Sequence, residues 1–263
     1  MKRITIFLQL IINLVVGIVV TVLIRNYLFY KNIEIDLGAW SVFYTVYGVL
    51  YAIIVGFILV GALGKFDQLK QTVDTEINKL QSVRDFLTYF SENQKDLVNN
   101  VRKVLSEYVD SIIKIEWYEM IKKDSMPEFS KEFGAIIESV SHLKSEDEND
   151  SIALTSIMNT LSGLTDCRTK RISLSNEEVP PPIMKLLIFM SIILTLGFII
   201  LGVENFWIHI FMIWSLSSTV QLIINLLVDL NNPFVGVWVI DKAHYQGIKE
   251  SIDERISKEY ERS

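Results

Sequence analysis

The 263-residue sequence predicts an all-α integral membrane protein: four transmembrane helices, with a cytoplasmic helical bundle inserted between the second and the third. Three observations carry this. The runs 4–24, 40–63, 186–203 and 206–228 hold no Asp, Glu, Lys or Arg and are each about 18 residues or longer, enough to cross a bilayer core of about 30 Å as helix. The long stretch between the second and third runs repeats its apolar residues at helical spacing. Nowhere does the chain sustain the alternation of period two that marks a strand. Half the residues are hydrophobic, yet 21% are charged, so a substantial part lies in water.

The first span, 4–24, follows Lys2 and Arg3 and ends at Arg25 without a small-x-small cleavage site, which separates it from a signal peptide. Gln9 and Asn13 near its middle serve either helix-to-helix hydrogen bonds or a water-filled path. A short loop, 26–39, carries Lys31, Glu34 and Asp36, with Tyr27, Phe29, Tyr30 and Trp40 as headgroup anchors. The second span, 40–63, sets Gly48, Ala52 and Gly56 four residues apart on one helix face, where a neighbouring backbone approaches or a lumen opens. Past Gly64 no proline stops the helix. Phe66, Leu69, Val73, Ile77, Leu80, Val83 and Leu87 continue at helical spacing among charged residues, so one rod passes from lipid into a soluble bundle.

Within the soluble segment, Leu97, Val101, Val104, Tyr108, Ile112 and Ile115 mark one amphipathic helix, with Asn93 and Asp96 as candidate caps. Phe129, Phe133, Ile136, Ile137, Val140 and Leu143 mark another, with Pro127 in its first turn. Ser145 to Ser151 reads as a solvated acidic loop, and Ile152, Ile157, Leu161 and Leu164 open a helix running to Leu174. Pro180, Pro181 and Pro182 form a rigid approach to the third span, 186–203. Glu204 and Asn205 leave room only for a tight turn into the fourth, 206–228. Ile248, Ile252, Ile256 and Tyr260 space a final short helix. The expected domains are thus 1–63, spans 1 and 2; 64–183, a cytoplasmic helical domain; 184–228, spans 3 and 4; and 229–263, a cytoplasmic C-terminal segment. Basic residues at the span ends (Lys2, Arg3, Lys65, Lys70, Lys185, Lys242) gather on one side, which puts both termini in the cytoplasm of a multi-pass inner-membrane protein.

Between Lys65 and Pro182 stand 15 basic and 21 acidic residues, so the net charge of −6 belongs to that segment and nucleic acid is not the expected partner. A lone cysteine, Cys167, excludes an intrachain disulfide and reads as a small residue on a helix. No phosphate loop, zinc motif or Cys/His metal spacing occurs, and His142, His209 and His244 lie far apart, so neither an enzyme, a metal nor a cofactor is expected. The fourth span carries a polar stripe, Ser217 or Ser218, then Gln221, Asn225 and Asp229, which either packs by interhelical hydrogen bonds or lines a path for polar solute. Asp229 emerges where it either caps the turn at Asn231-Asn232-Pro233 or pairs with an arginine. Arg168, Lys170 and Arg171 form a compact basic cluster whose partners are headgroups, Asp229 or Glu116.

Several of these features together resemble the bestrophin-like domain family. They are a span leading into Gly64-Lys65-Phe66-Asp67, then Glu116-Trp117 at a helix end, Arg168 and Arg171 before a proline-led span, and Leu230-Asn231-Asn232-Pro233-Phe234-Val235-Gly236. The last departs from the family pattern by placing Asn231 where an acid stands, and it lacks the acidic run that follows the Asn-Pro-Phe motif of true bestrophins. The resemblance implies a pentameric channel for small ions, with the second span around a central pore and a cytoplasmic helical vestibule. Gly48, Ala52, Val55, Gly56 and Leu59 are then the expected lining, with Val55 and Leu59 as an apolar constriction. The acidic bundle favours cations at its mouth, whereas the resemblance points to anions. The rival reading is a membrane-anchored scaffold or sensor whose bundle binds a protein partner of unknown identity.

Overall fold

In the computed structural model the chain is described at residues 2–31, 36–123, 130–201, 203 and 205–260. Pro127, Phe129, Glu204 and Glu34, and the side chains of Lys2, Arg3, Arg25, Phe29, Tyr30, Lys31 and Tyr260, lie outside what is described. Nine α-helices follow in the described residues: α1 Lys2–Lys31, α2 Leu37–Phe86, α3 Lys95–Ser111, α4 Trp117–Lys122, α5 Lys131–Ser141, α6 Glu148–Asn176, α7 Pro181–Ile200, α8 Phe206–Asn231 and α9 Ala243–Tyr260. No strand occurs among those residues. Among the described residues three helices are long and apolar enough to cross a membrane, and they hold the second and fourth runs read from the sequence and the third as far as Ile200. In α1 the apolar described stretch is shorter, Ile11–Leu23.

The chain divides into two compact units, Met1–Gly64 with Glu178–Asn231, and Lys65–Glu177 with Asn232–Ser263. Helix α2 belongs to both, 50 residues without a break. Its start is a cap: Asp36 Oδ1 accepts from the Gly38 and Ala39 amides at 2.9 and 3.1 Å. The loop expected at 26–39 is therefore shorter, because α1 runs on to Lys31 and α2 begins at Leu37.

In the apolar unit, α1, α7 and α8 pack on one another, and α2 lies along α7 through a ladder of aromatic hydroxyls. Tyr44 donates to the carbonyls of Ile193 and Leu194 (2.7 and 2.9 Å), and Tyr51 shares a hydrogen bond with Ser191 (2.9 Å). In a medium without water such bonds satisfy hydroxyls that would otherwise cost several kcal/mol. Pro181 and Pro182 do not merely approach the third helix; they are its first residues, where a missing amide hydrogen costs nothing. The helix accordingly runs 181–200 rather than 186–203, and the fourth extends to Asn231.

In the polar unit, α3 packs on α5 and α9, and α4 meets α6. The acidic run Ser145–Ser151 is a solvated loop only as far as Asp147; Glu148 opens α6, and Asp150 within it is buried. Asp147 caps α6 by accepting from the Asp150 amide (2.7 Å), and the Asp150 carboxylate is fully buried. It accepts from the Ser91 amide (3.0 Å), Gln94 Nε2 (2.9 Å) and the Glu146 amide (3.2 Å), which tie the start of α3 to the start of α6. Neither Asn93 nor Asp96 caps α3; Gln94 stands at that position without a side-chain cap bond.

A methyl group on Gly197 would overlap the Tyr44 ring. Gly197→Ala is predicted to lower the thermal stability of the detergent-solubilised protein by about 1–3 kcal/mol, the usual cost of overpacking. An unchanged melting curve would refute the α2–α7 contact.

Candidate functional site

Two places gather the residues singled out in the sequence. The first is the apolar half of α2. Tyr44, Tyr51, Val55 and Ala62 recur along one side of the helix and are buried. Gly48, Ala52 and Gly56 lie next to that side but more exposed, Leu59 is half-buried, and a methyl built at Gly48 or Gly56 meets nothing within 4 Å. Val55, expected beside them in the lining, is only 7% exposed within its own chain. One hundred degrees per residue carries it away from the open stripe toward the tyrosine side. A helix that is apolar all round has no polar face to reveal such a division.

The second is a charge cluster at the centre of the polar unit. Arg171 of α6 is fully buried. Its Nε and Nη2 donate to the two Glu76 oxygens (2.7 and 3.2 Å), and Nη2 donates also to Glu116 (2.6 Å). Arg168, one turn earlier, donates from Nε to the other Glu116 oxygen at 2.8 Å. Tyr245 of α9 and Tyr108 of α3 donate to Glu76 at 2.7 and 3.3 Å. Two guanidinium groups face two carboxylates, so the buried charge cancels.

Glu116 reaches this cluster because the helix changes pitch beside it. Residues Ile112–Glu116 form a π turn, with the Trp117 amide donating to the Ile112 carbonyl. The extra residue turns Glu116 inward and leaves Ile115 53% exposed, where uninterrupted α spacing would have buried it. Glu116-Trp117 therefore stands inside a helical stretch and not at a helix end.

The Leu230–Gly236 motif meets the same centre. Phe234 packs edge-on against Trp117, with centroids 5.0 Å apart, and Trp117 in turn meets Tyr245 edge-on at 5.9 Å. Asn232 Nδ2 donates to the Ile121 carbonyl at 3.2 Å, while its Oδ1 accepts from the Phe234 amide, the turn-capping work considered for Asp229. After Pro233, Gly236 takes a positive φ of 151°. Of Arg168's candidate partners, Glu116 is the carboxylate at its Nε.

The polar stripe of α8 is engaged with α1. Gln221 Nε2 donates to Asn225 Oδ1 (3.1 Å), and Asn225 Nδ2 donates to Gln9 Oε1 (2.9 Å). Asp229 is half-buried in the last turn of α8. His209 is buried and bonds the Phe198 carbonyl (2.9 Å), a packing role. Among the described residues no group of three His, Cys, Asp or Glu side chains converges to hold a metal.

Three members of the cluster, Glu76, Tyr108 and Tyr245, are absent from the sequence-derived site, Tyr108 having been read only as part of an apolar helix stripe. Glu76 had a signal: it stands on the stripe Leu69, Val73, Leu80 and Val83, an acid at a buried helical position. Tyr245 had none, being one tyrosine in a polar helix.

Fold and site thus define an all-α membrane protein whose polar unit closes around a neutralised arginine pair. The bestrophin-like domain profile matches residues 13–245, and the chain belongs to that family. Members of this family are typically channels rather than enzymes. The structure is similar to the crystal structure of a bacterial bestrophin homolog from Klebsiella pneumoniae, with a TM-score of 0.74 at 15% identity over 94% of this chain and 98% of that one. A mutant of that homolog gives 0.76 at 15% identity over 95% and 99%. A structure described only as a membrane protein gives 0.75 at 16% identity over 95% and 99%. A search of curated proteins returns no match. At such identities the likeness is one of fold.

Burial pushes the Glu116 carboxyl up, but the charges and hydrogen bonds of Arg171 and then Arg168 outweigh it and hold that carboxyl below its ordinary range. Burial first, then the Glu76 charge, drive the Tyr108 and Tyr245 hydroxyls well above theirs. A lowered carboxyl contributes stability at neutral pH that is lost as pH falls through its folded value. A raised phenol contributes stability that is present below the ordinary tyrosine range and lost as pH rises beyond it. Unfolding of the polar unit, followed by circular dichroism, is therefore predicted to ease at both extremes; a flat profile would contradict the cluster. Arg171→Leu leaves the buried Glu76 carboxylate without a charge partner and Glu116 with Arg168 alone, and is predicted to cost about 3–5 kcal/mol. A loss below about 1 kcal/mol would show that the pair is not closed as described.

Proposed function

We propose that the protein is a homo-oligomeric bestrophin-like ion channel, a ring of subunits (five in the arrangement its resemblance implies) with the open face of α2 around the axial pore. The observation that supports this best is that α2 runs unbroken for 50 residues, apolar at first and amphipathic after, with a small-residue stripe open within its own chain. In a ring each lining side chain is repeated by every subunit, so one apolar residue per chain suffices for a constriction that dewets. Gly48, Ala52 and Gly56 keep the lumen wide, and Leu59 narrows it. Val55 supports α2 from behind. The termini and the polar unit lie in the cytoplasm, as the basic span ends direct, and α1 supplies the fourth span. The Glu76–Arg171–Glu116–Arg168 cluster stiffens the polar unit and takes no direct part in permeation.

Purified protein in a planar bilayer under a KCl gradient is predicted to carry current, with the reversal potential reporting anion against cation. Leu59→Ala changes conductance or rectification; Val55→Ala lowers stability and leaves the single-channel conductance alone. A monomer in solution, or silent bilayers with the oligomer intact, would move the assignment to a membrane-anchored scaffold.

A further inference from the structure

The segment after α8 forms a pinned loop with an apolar tip. The Ile240 amide donates to the Pro233 carbonyl at 2.9 Å, closing residues 234–239 at the base. Phe234 and Ile240 are buried as the two feet, at 5% and 6% exposure. Between them Val235, Val237, Trp238 and Val239 are 42–56% exposed, a run of apolar residues in an otherwise charged unit. Soluble surfaces rarely carry such a contiguous patch without something to cover it.

The chain itself indicates what covers it. The loop starts two residues after Asn231, where the apolar helix α8 ends. Trp238 packs edge-on against Phe66, centroids 6.0 Å apart, and Phe66 lies only two residues beyond Gly64, where the apolar part of α2 ends. Both the loop and the residue it packs on thus follow within a few residues of the end of an apolar helical stretch. A tryptophan among valines at such a place is the composition of an interfacial anchor.

Charge agrees. Through Asn232 the loop's first residues are tied to the Ile121 carbonyl, next to Lys122 and Lys123, at the end of α4. Lys65, which donates to the Glu177 carbonyl, is close by: burial first and then the Lys123 charge lower its amine to about 8, against a smaller opposing effect of Glu177. The Asp241 carboxylate is turned to the Ala243 amide (3.0 Å). The Lys122 ammonium lies 4.5 Å from the Tyr118 ring centroid, and lysines on the element to which an apolar loop is tied favour anionic lipid, at about 1 kcal/mol per lysine near the surface.

We propose that residues 234–239 insert as a finger into the headgroup layer of the bilayer, with Lys122 and Lys123 holding anionic phospholipid phosphates beside it. The proposal rests on the membrane fold and not on channel activity.

The test uses the full chain with Cys167→Ser and a nitroxide on Val237→Cys, in vesicles of phosphatidylcholine mixed with phosphatidylglycerol. Collisions with oxygen exceeding those with a water-soluble nickel chelate are expected. Higher nickel collisions would place the loop in water and overturn the proposal. An immobile label shielded from both would overturn it in favour of a second copy of the chain covering the loop. In the same vesicles Lys122→Gln and Lys123→Gln are each expected to weaken the preference for phosphatidylglycerol about fivefold; an unchanged preference would remove the phosphate contacts. A protein that conducts no current would still give a readable result in both measurements.

Discussion

A guanidinium with no access to water must be matched in charge and in hydrogen bonds, and Arg171 sets that requirement for the whole polar unit. No single helix meets it. Glu76 comes from α2, Glu116 from the π turn after α3, Tyr108 from α3 and Tyr245 from α9. Each partner is held where it is because the others are, so these helices are positioned by one buried group as much as by their apolar stripes. A hydrophobic core tolerates small slips between helices; a bidentate carboxylate–guanidinium pair does not. This specificity accounts for a π turn, whose poorer backbone geometry is offset by delivering Glu116 to the cluster.

The apolar unit follows a different logic. Among lipid tails apolar burial gives no preference for one helix face over another, so contacts depend on close packing and hydrogen bonds. The hydroxyls of Tyr44 and Tyr51 bond to α7 at main-chain carbonyls and a serine, and the missing side chain of Gly197 lets the Tyr44 ring approach. Gln9, Asn225 and Gln221 do the same between α1 and α8. The remaining faces, including the Gly48-Ala52-Gly56 stripe, are left for what lies outside the chain.

The Asn232-Pro233-Phe234 turn joins these two regimes in sequence. Its Phe234 belongs to the aromatic group of Trp117 and Tyr245, which borders the charge cluster, while the residues just after it are exposed and apolar. The short motif that carries the family resemblance is here a structural clasp, made by an amide side chain rather than an acid.

By itself the sequence determined what is local: the uncharged runs, the absence of strand periodicity, the continuation of α2 past Gly64, and most of the amphipathic stripes. These follow from rules that act within one or two helical turns. It misplaced Ile115 because a π turn leaves no mark in residue spacing until it is seen. It read Asp150 as solvated because nothing nearby in sequence announces the Ser91 and Gln94 donors. It did not show that Val55 is buried within its own chain, because a uniformly apolar helix shows no faces. Only the tertiary structure decided these, and only it named Glu76 as the partner of Arg171, 95 residues away. A pair at that distance is brought together by the packing of whole helices, and no periodic pattern along the chain records it.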